Sequence, residues 1–320
     1  MILGESFMYV YLDIVKDFQC QMCGVCCRRE WLVTVDEASY HRNKKLFSAQ
    51  GKAAEFEKAF IPLEKQTTPG EVAFITKKAW GGCWFLTEDN CCRLHRNAGH
   101  EHLDTVCQTF PRYPMDTSRG MEVTLSFSCP AVMEKVRRID PLTIIRSSEP
   151  PTAFNEEASV VSVYPKQRHK FDVFRYYFEL EHHCIDILQW RGAGIAERLR
   201  LLEETIGAVA AVCKQSLCSQ DMKAVFYRNY EMMDKLPAGK EKEELCTPEI
   251  LAEHFLVNLL FKKVLYLYGQ KRTMQLFWDS WQSIEESCRN KEKEQALFAA
   301  AQVIMDIELQ YGHNRQALFK

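Results

Sequence analysis

The sequence predicts an α+β chain, mostly helical, in which a cysteine-rich, metal-cluster N-terminal domain with short helices and few strands is followed by an all-α domain. Three observations predict it. Nine of the 14 cysteines, at positions 20, 23, 26, 27, 83, 91, 92, 107 and 129, lie before residue 130. Apolar residues recur at spacings of three and four through most of the chain beyond residue 170. Between the two, "SSEPPTAFNEEASVVSVYPKQRH" sets Pro150, Pro151 and Pro165 among polar residues with little helical periodicity. The boundaries are therefore drawn at 1–146 for the metal or iron–sulfur-binding half, 147–169 for a linker or extended arm, and 170–320 for the helical half.

In chain order, "DEASYHRNKKLF" and "GKAAEFEKAFIPLEK" are expected as short helices in a half that is otherwise largely loop. "MEVTLSFSC" alternates Val123, Leu125 and Phe127 after a Gly120 turn, the mark of a half-buried strand ending at Cys129. Helices follow at "KFDVFRYYFELEHHCIDILQW", "AGIAERLRLLEETIGAVAAVCKQ" and "TPEILAEHFLVNLLFKKVLYLYG", with two more over 271–288 and 292–311. The third has readable ends: Thr247 to cap, Pro248 at the first helical position, Gly269 at the exit.

A chain of 320 residues, 47% hydrophobic and 26% charged, is long enough to bury a sizeable core. Its net charge of −2, with cations spread among acids, argues against nucleic acid as a partner. Glu5 and Asp13 interrupt the N-terminus where a secretion signal would be basic and then apolar. The best membrane-span candidate carries Glu253, Lys262 and Lys263. A cytoplasmic protein with no membrane partner is expected. In that compartment thiols stay reduced, so the cysteines point to metal rather than to disulfides.

Cys20, Cys23, Cys26 and Cys27 form C-x2-C-x2-C-C, a spacing that lets thiolates converge on a soft or borderline metal. "GGCWFLTEDNCCRLHRNAGHEHLDTVC" adds Cys83, Cys91, Cys92 and Cys107, and "SFSCP" adds Cys129. With Cys91 and Cys92 as alternatives, eight thiols suffice for two four-thiolate sites, or for one cluster and a structural zinc. His95, His100 and His102 in the same segment read as polar helix surface. Cys184, Cys213, Cys218, Cys246 and Cys288 lack ligand spacing and read as packing residues.

These stretches carry a resemblance. "CQMCGVCCRR" resembles the signature of bacterial cysteine-cluster proteins described as zinc- or iron-chelating, and "GGCWFLTEDNCCRLHRNAGHEHLDTVCQTFPRYP" with "LSFSCP" resembles one branch, the flagellin lysine-N-methylases. "AEHFLVNLLFKKVL" is similar to that branch too. The resemblance implies methyl transfer from S-adenosylmethionine to lysine side chains of flagellin or a similar protein, with an iron–sulfur cluster, 4Fe–4S in kind, held by the N-terminal cysteines. Zinc is the alternative metal, and a non-enzymatic zinc- or iron-chelating protein with a helical interaction module is the alternative function. The matching positions are Cys20, Cys23, Cys26, Cys27, Cys83, Cys92, Cys107 and Cys129; Cys92 is preferred to Cys91 because it heads the matching C-R-L-H. Arg112 and Tyr113, in "TFPRYP", are the implied cofactor-binding residues.

The residues themselves show no familiar donor site. No G-x-G-x-x-G follows an expected strand, and Glu30 stands where a radical C-x3-C-x2-C motif, begun by Cys23 and Cys27, would need its third cysteine. The S-adenosylmethionine site and the catalytic residues are not visible in the sequence.

Overall fold

The computed structural model describes residues 8–64, 70–151, 160–165, 173–215, 219–235 and 245–312. Its first element is a strand, β1 (Tyr9–Leu12), followed by a one-turn helix α1 (Val25–Arg28), β2 (Thr34–Asp36), α2 (Glu37–Ala49), α3 (Ala53–Ala59), β3 (Phe60–Pro62) and β4 (Glu71–Ile75). Next come α4 (Arg93–Ala98), α5 (Thr105–Thr109), β5 (Arg112–Thr117), β6 (Gly120–Leu125), α6 (Pro130–Val136), β7 (Ile144–Ser147) and β8 (Val161–Val163). The remaining elements are helices: α7 (Tyr177–Gln189), α8 (Ile195–Gln215), α9 (Ser219–Lys235), α10 (Pro248–Phe261), α11 (Val264–Cys288) and α12 (Lys293–Gly312). The protein is α+β and mostly helical, as expected.

The first half holds more strand than the sequence suggested. β7, β1, β6, β5 and β8 lie in that order in one mixed sheet, with β1 parallel to β6, β5 antiparallel to β6 and β8 parallel to β5. A second, antiparallel sheet orders β2, β4 and β3. β1 escaped notice because a central strand buried on both faces carries no alternation. For the same reason β6 is not half-buried: Met121 to Leu125 are all buried. The polar residues on its second face meet partners, Thr124 donating to Asn258 Oδ1 at 2.6 Å and Glu122 meeting Lys263. Of the arm expected at 147–169, residues 152–159 and 166–169 lie outside the described residues; Val161–Val163 is a strand of the main sheet.

One large core joins the sheet to the helices, with Leu12, Val123, Leu125 and Phe127 packed together with Leu180, Leu199, Phe255, Phe277 and Ile304. At its centre α10 is buried on every side, from Ile250 to Phe261, so its polar residues find partners inside: Arg191 and Arg198 on Glu253, and the Val136 carbonyl on His254 Nδ1. Its start is as read, with Thr247 Oγ1 accepting from Ile250 N at 3.3 Å and Pro248 following. Its end is not. The chain leaves the helix at Lys262, Lys263 takes a left-handed turn (φ 69°), and Gly269 (φ 74°) is a kink inside α11 rather than an exit.

A second, smaller core surrounds the three-stranded sheet. Phe56 stacks on Phe60 with centroids 4.7 Å apart, Phe60 meets Phe85 at 5.6 Å, and Phe47, Val35 and Leu94 close the cluster. Such aromatic pairs add about 0.5–1.5 kcal/mol each beyond area burial. Cys83, Cys92 and Cys107 pack against this cluster while Cys129 belongs to the large one, so the cysteines gather at the seam between the two cores. Cys184 and Cys213 are buried packing residues; Cys218 lies outside the described residues. No helix among the described residues is long and apolar enough to cross a membrane.

Candidate functional site

The site is built from loops that end in very short helices. Gly24 (φ 70°) starts α1 in the left-handed region, and a Cβ there would lie 3.1 Å from Asn90 Cβ and from the Asn90 carbonyl. Only glycine satisfies both the conformation and the approach. That contact presses the first cysteine loop onto the second, and the Cys83 amide fastens it by donating to the Cys27 carbonyl at 2.8 Å. Cys92 and Cys129 occupy the cap positions of α4 and α6, and Cys107 sits on α5, whose cap is Asp104, accepting from Val106 N at 3.0 Å.

The result is one cavity of about 270 Å³ with Cys20, Cys23, Cys26, Cys27, Cys83, Cys92, Cys107 and Cys129 all in its wall. Every cysteine matched by the family signature faces it, and Cys91 is absent from the wall. Phe85, Leu94, Leu103, Trp31 and Phe110 supply apolar wall between the thiols. The described cysteines are all unbridged.

Burial raises the pKa of Cys83, Cys92 and Cys107, and each is raised further by other cysteines of the group. Cys129 is pushed up to about 11, again by burial, against the pull of amides at the start of α6. Cys26 and Cys27 have Sγ atoms 3.8 Å apart, and the hydrogen bond between them lowers Cys26 to about 7 and raises Cys27. The thiols thus fall into two electrostatic groups, Cys26, Cys27, Cys83, Cys92 and Cys107 in one, and Cys20, Cys23 and Cys129, with the Arg112 guanidinium, in the other. Ionising several thiols of the first group is unfavourable without a cation between them.

The other expected residues divide. Arg112 lines the cavity and its Nη2 donates to the Phe18 carbonyl at 3.3 Å. Tyr113, next on β5, does not; its ring lies 4.8 Å under Lys262 Nζ, because successive strand residues face opposite ways. His95 and His100, read as helix surface, stand in the cavity wall with rings 5.6 Å apart, His100 exposed at its mouth. The three-residue gap from Cys92 to His95 was the available signal. Asp104 is the wall residue that sequence reasoning missed: burial, with the Asp36 charge adding to it, pushes its carboxyl up to about 7.

The donor chemistry, eight soft thiols in one cavity, fits a thiolate-bound metal centre in type and number. The side chains are spread around the wall: among the described residues no three His, Cys, Asp or Glu groups converge closely enough to hold one ion.

No family model and no solved structure matches the chain. Among curated proteins it is similar to a lysine-N-methylase of Salmonella choleraesuis, 26% identical over 165 residues, which are 50% of this chain and 39% of that protein. The chain resembles the flagellin lysine-N-methylase family at low identity. A second lysine-N-methylase, from Salmonella typhimurium, is 26% identical over 162 residues, again 50% of this chain and 39% of its own length. The flagellar biosynthetic protein FliU of Salmonella muenchen is 24% identical over 124 residues, 38% of this chain and 72% of FliU. The match thus covers about two fifths of the length of each lysine-N-methylase.

Proposed function

We propose that the chain is a protein-lysine N-methyltransferase that moves a methyl group from S-adenosylmethionine to lysine side chains of flagellin or a similar protein, at the cysteine-lined cavity. The observation that carries this reading is that all eight cysteines of the family signature, scattered over 110 positions of chain, line a single cavity in a relative of lysine-N-methylases. Four of these eight would hold a 4Fe–4S cluster, which when bound supplies a cross-link between the loops and redox chemistry, and the other four suffice for a second thiolate site. Cys26, whose pKa is already near 7, is the thiol readiest to ligate.

The chain's own residues meet the other requirements. A free lysine of pKa ~10.4 is mostly protonated at pH 7, a penalty of about 4.6 kcal/mol before its nitrogen can attack. Phe85, Leu94, Trp31 and Phe110 give the apolar surroundings that favour the neutral amine, and Asp104, near pH 7 in its own titration, is the wall carboxyl suited to accept the proton. Arg112 offers a fork for a carboxylate such as that of the donor. The test is transfer of labelled methyl from S-adenosylmethionine to flagellin by anaerobically purified, iron-loaded protein. Label recovered on lysine supports the reading; none, across several flagellins and with iron and sulfide bound, overturns it.

A further inference from the structure

The main sheet has a second polar centre at the end away from the cysteines. Arg112 opens β5 and the β5–β6 turn follows its sixth residue, a span of roughly 17–20 Å at strand spacing. There Arg119 Nη2 reaches Glu122 Oε2 at 2.8 Å and Glu181 Oε2 at 3.0 Å, and Lys263 Nζ reaches both carboxylates at 2.7 Å. Two cations meet two anions, so this inner set is neutral and its members are satisfied.

The recess outside it is not neutral. It is an open cavity of about 640 Å³ whose wall includes Ser118, Arg119, Arg146, Arg175, Glu179 and His182. With Arg119 spent on Glu122 and Glu181, Glu179 is the acid that lines the wall beside Arg146 and Arg175 among the described residues. Neither makes an ion pair among the described residues. The two come from different elements, Arg146 from the edge strand β7 and Arg175 from the single turn before α7. Arg146 pairs with Val10, which pairs with Glu122, so that cross-strand register sets the Arg146 side chain on the same sheet face as the buried network. Arg119 lies 3.9 Å above the Phe178 ring and Arg175 5.2 Å from the Tyr176 ring centroid, contacts that hold both guanidinium planes at the wall.

His182 joins the set through Arg119, whose Nη1 donates to its Nε2 at 3.2 Å. Burial above all, then Arg119 and Arg146, hold the imidazole below its usual pKa, with Asp186 opposing them.

We propose that this recess binds a small molecule bearing a phosphate or carboxylate group, gripped by Arg146 and Arg175 beside the fixed Arg119, as a site separate from the cysteine cavity. Guanidinium forks match both oxyanions bidentately, and the volume suits a ligand of nucleotide or dicarboxylate size. The inference does not rest on the methyltransferase reading.

The experiment is calorimetric titration of the full chain with pyrophosphate and, separately, with citrate, in the wild type, in Arg146→Gln/Arg175→Gln and in Lys291→Gln, which removes an exposed charge elsewhere. The imidazole resonance of His182, assigned with His182→Gln, is followed in parallel. Saturable binding of either probe, weakened tenfold or more by the double variant, unchanged by Lys291→Gln and accompanied by a rise in the His182 pKa, supports the site. Which probe binds identifies phosphate or carboxylate as the group held. Absence of saturable binding by both probes, or equal weakening by Lys291→Gln, overturns it. Both arginines lie outside the buried network, and circular dichroism of the double variant checks that the fold is kept.

Discussion

Two polar centres sit at opposite ends of one sheet, and they solve burial in opposite ways. At the β5–β6 turn, Glu122, Glu181, Arg119 and Lys263 are paired charge for charge, with Thr117 and Tyr177 adding hydrogen bonds to the carboxylates. At the other end, the buried thiols raise one another's pKa and are spread around an open wall. The first centre is complete within the chain. The second is where we propose that a metal cluster binds, and buried polar groups left without such pairing are what mark a candidate site.

The largest expected effect falls on the incomplete centre. On the proposed iron–sulfur reading, Cys107→Ala is expected to abolish bound iron and sulfide in anaerobically purified protein, and Cys91→Ala, whose thiol is outside the cavity wall, to retain them. Quantitation of both elements with a visible spectrum checks this; zinc without sulfide, or equal loss in the two variants, breaks the assignment. At the complete centre, Lys263→Met strands two carboxylates with only Arg119 between them and is expected to lower stability by about 3–5 kcal/mol in denaturant unfolding. A loss below about 1 kcal/mol would show that the network is not the closed unit described here.

Asp104 sharpens the comparison through pH. An acid whose folded pKa is raised holds its proton longer when folded, so its contribution to stability is full below its unfolded pKa near 3.8 and declines as pH rises through about 7. Asp104→Asn is expected to flatten the decline between pH 4 and 7, a term of roughly 4 kcal/mol at most, while Asn keeps the cap. Parallel stability profiles for the two proteins would count against the raised pKa. The smallest effect is expected at the seam: Gly24→Ala forces a side chain into a left-handed residue against Asn90 and costs about 1–2 kcal/mol, read as faster amide exchange at Cys83 before any change in global unfolding.

Much of this molecule was legible before folding, and where it was not the reason is specific. The helices of the second half announced themselves through spacing, except α9, whose pattern is largely polar with Tyr227 and Tyr230 exposed. β6 was legible as a strand from its alternation but is buried on both faces rather than half-buried, and β1, buried throughout, shows no alternation to read. The helical spacing of apolar residues through "FLVNLLFKKVLYLYG" read as one helix, since nothing local tells that Lys263 will turn the chain back so that its ammonium can reach Glu122 and Glu181, 141 and 82 positions away.

The cysteines show the division most clearly. Their types, their spacing and their likeness to the lysine-N-methylases are properties of the sequence alone, and so is the preference for Cys92 over Cys91. That all eight face one cavity, that Asp104 and two histidines join them, and that Tyr113 turns away were decided by tertiary packing. Ligand chemistry is written in residue identity, but convergence depends on glycine contacts, strand alternation and caps that bring together segments more than a hundred residues apart.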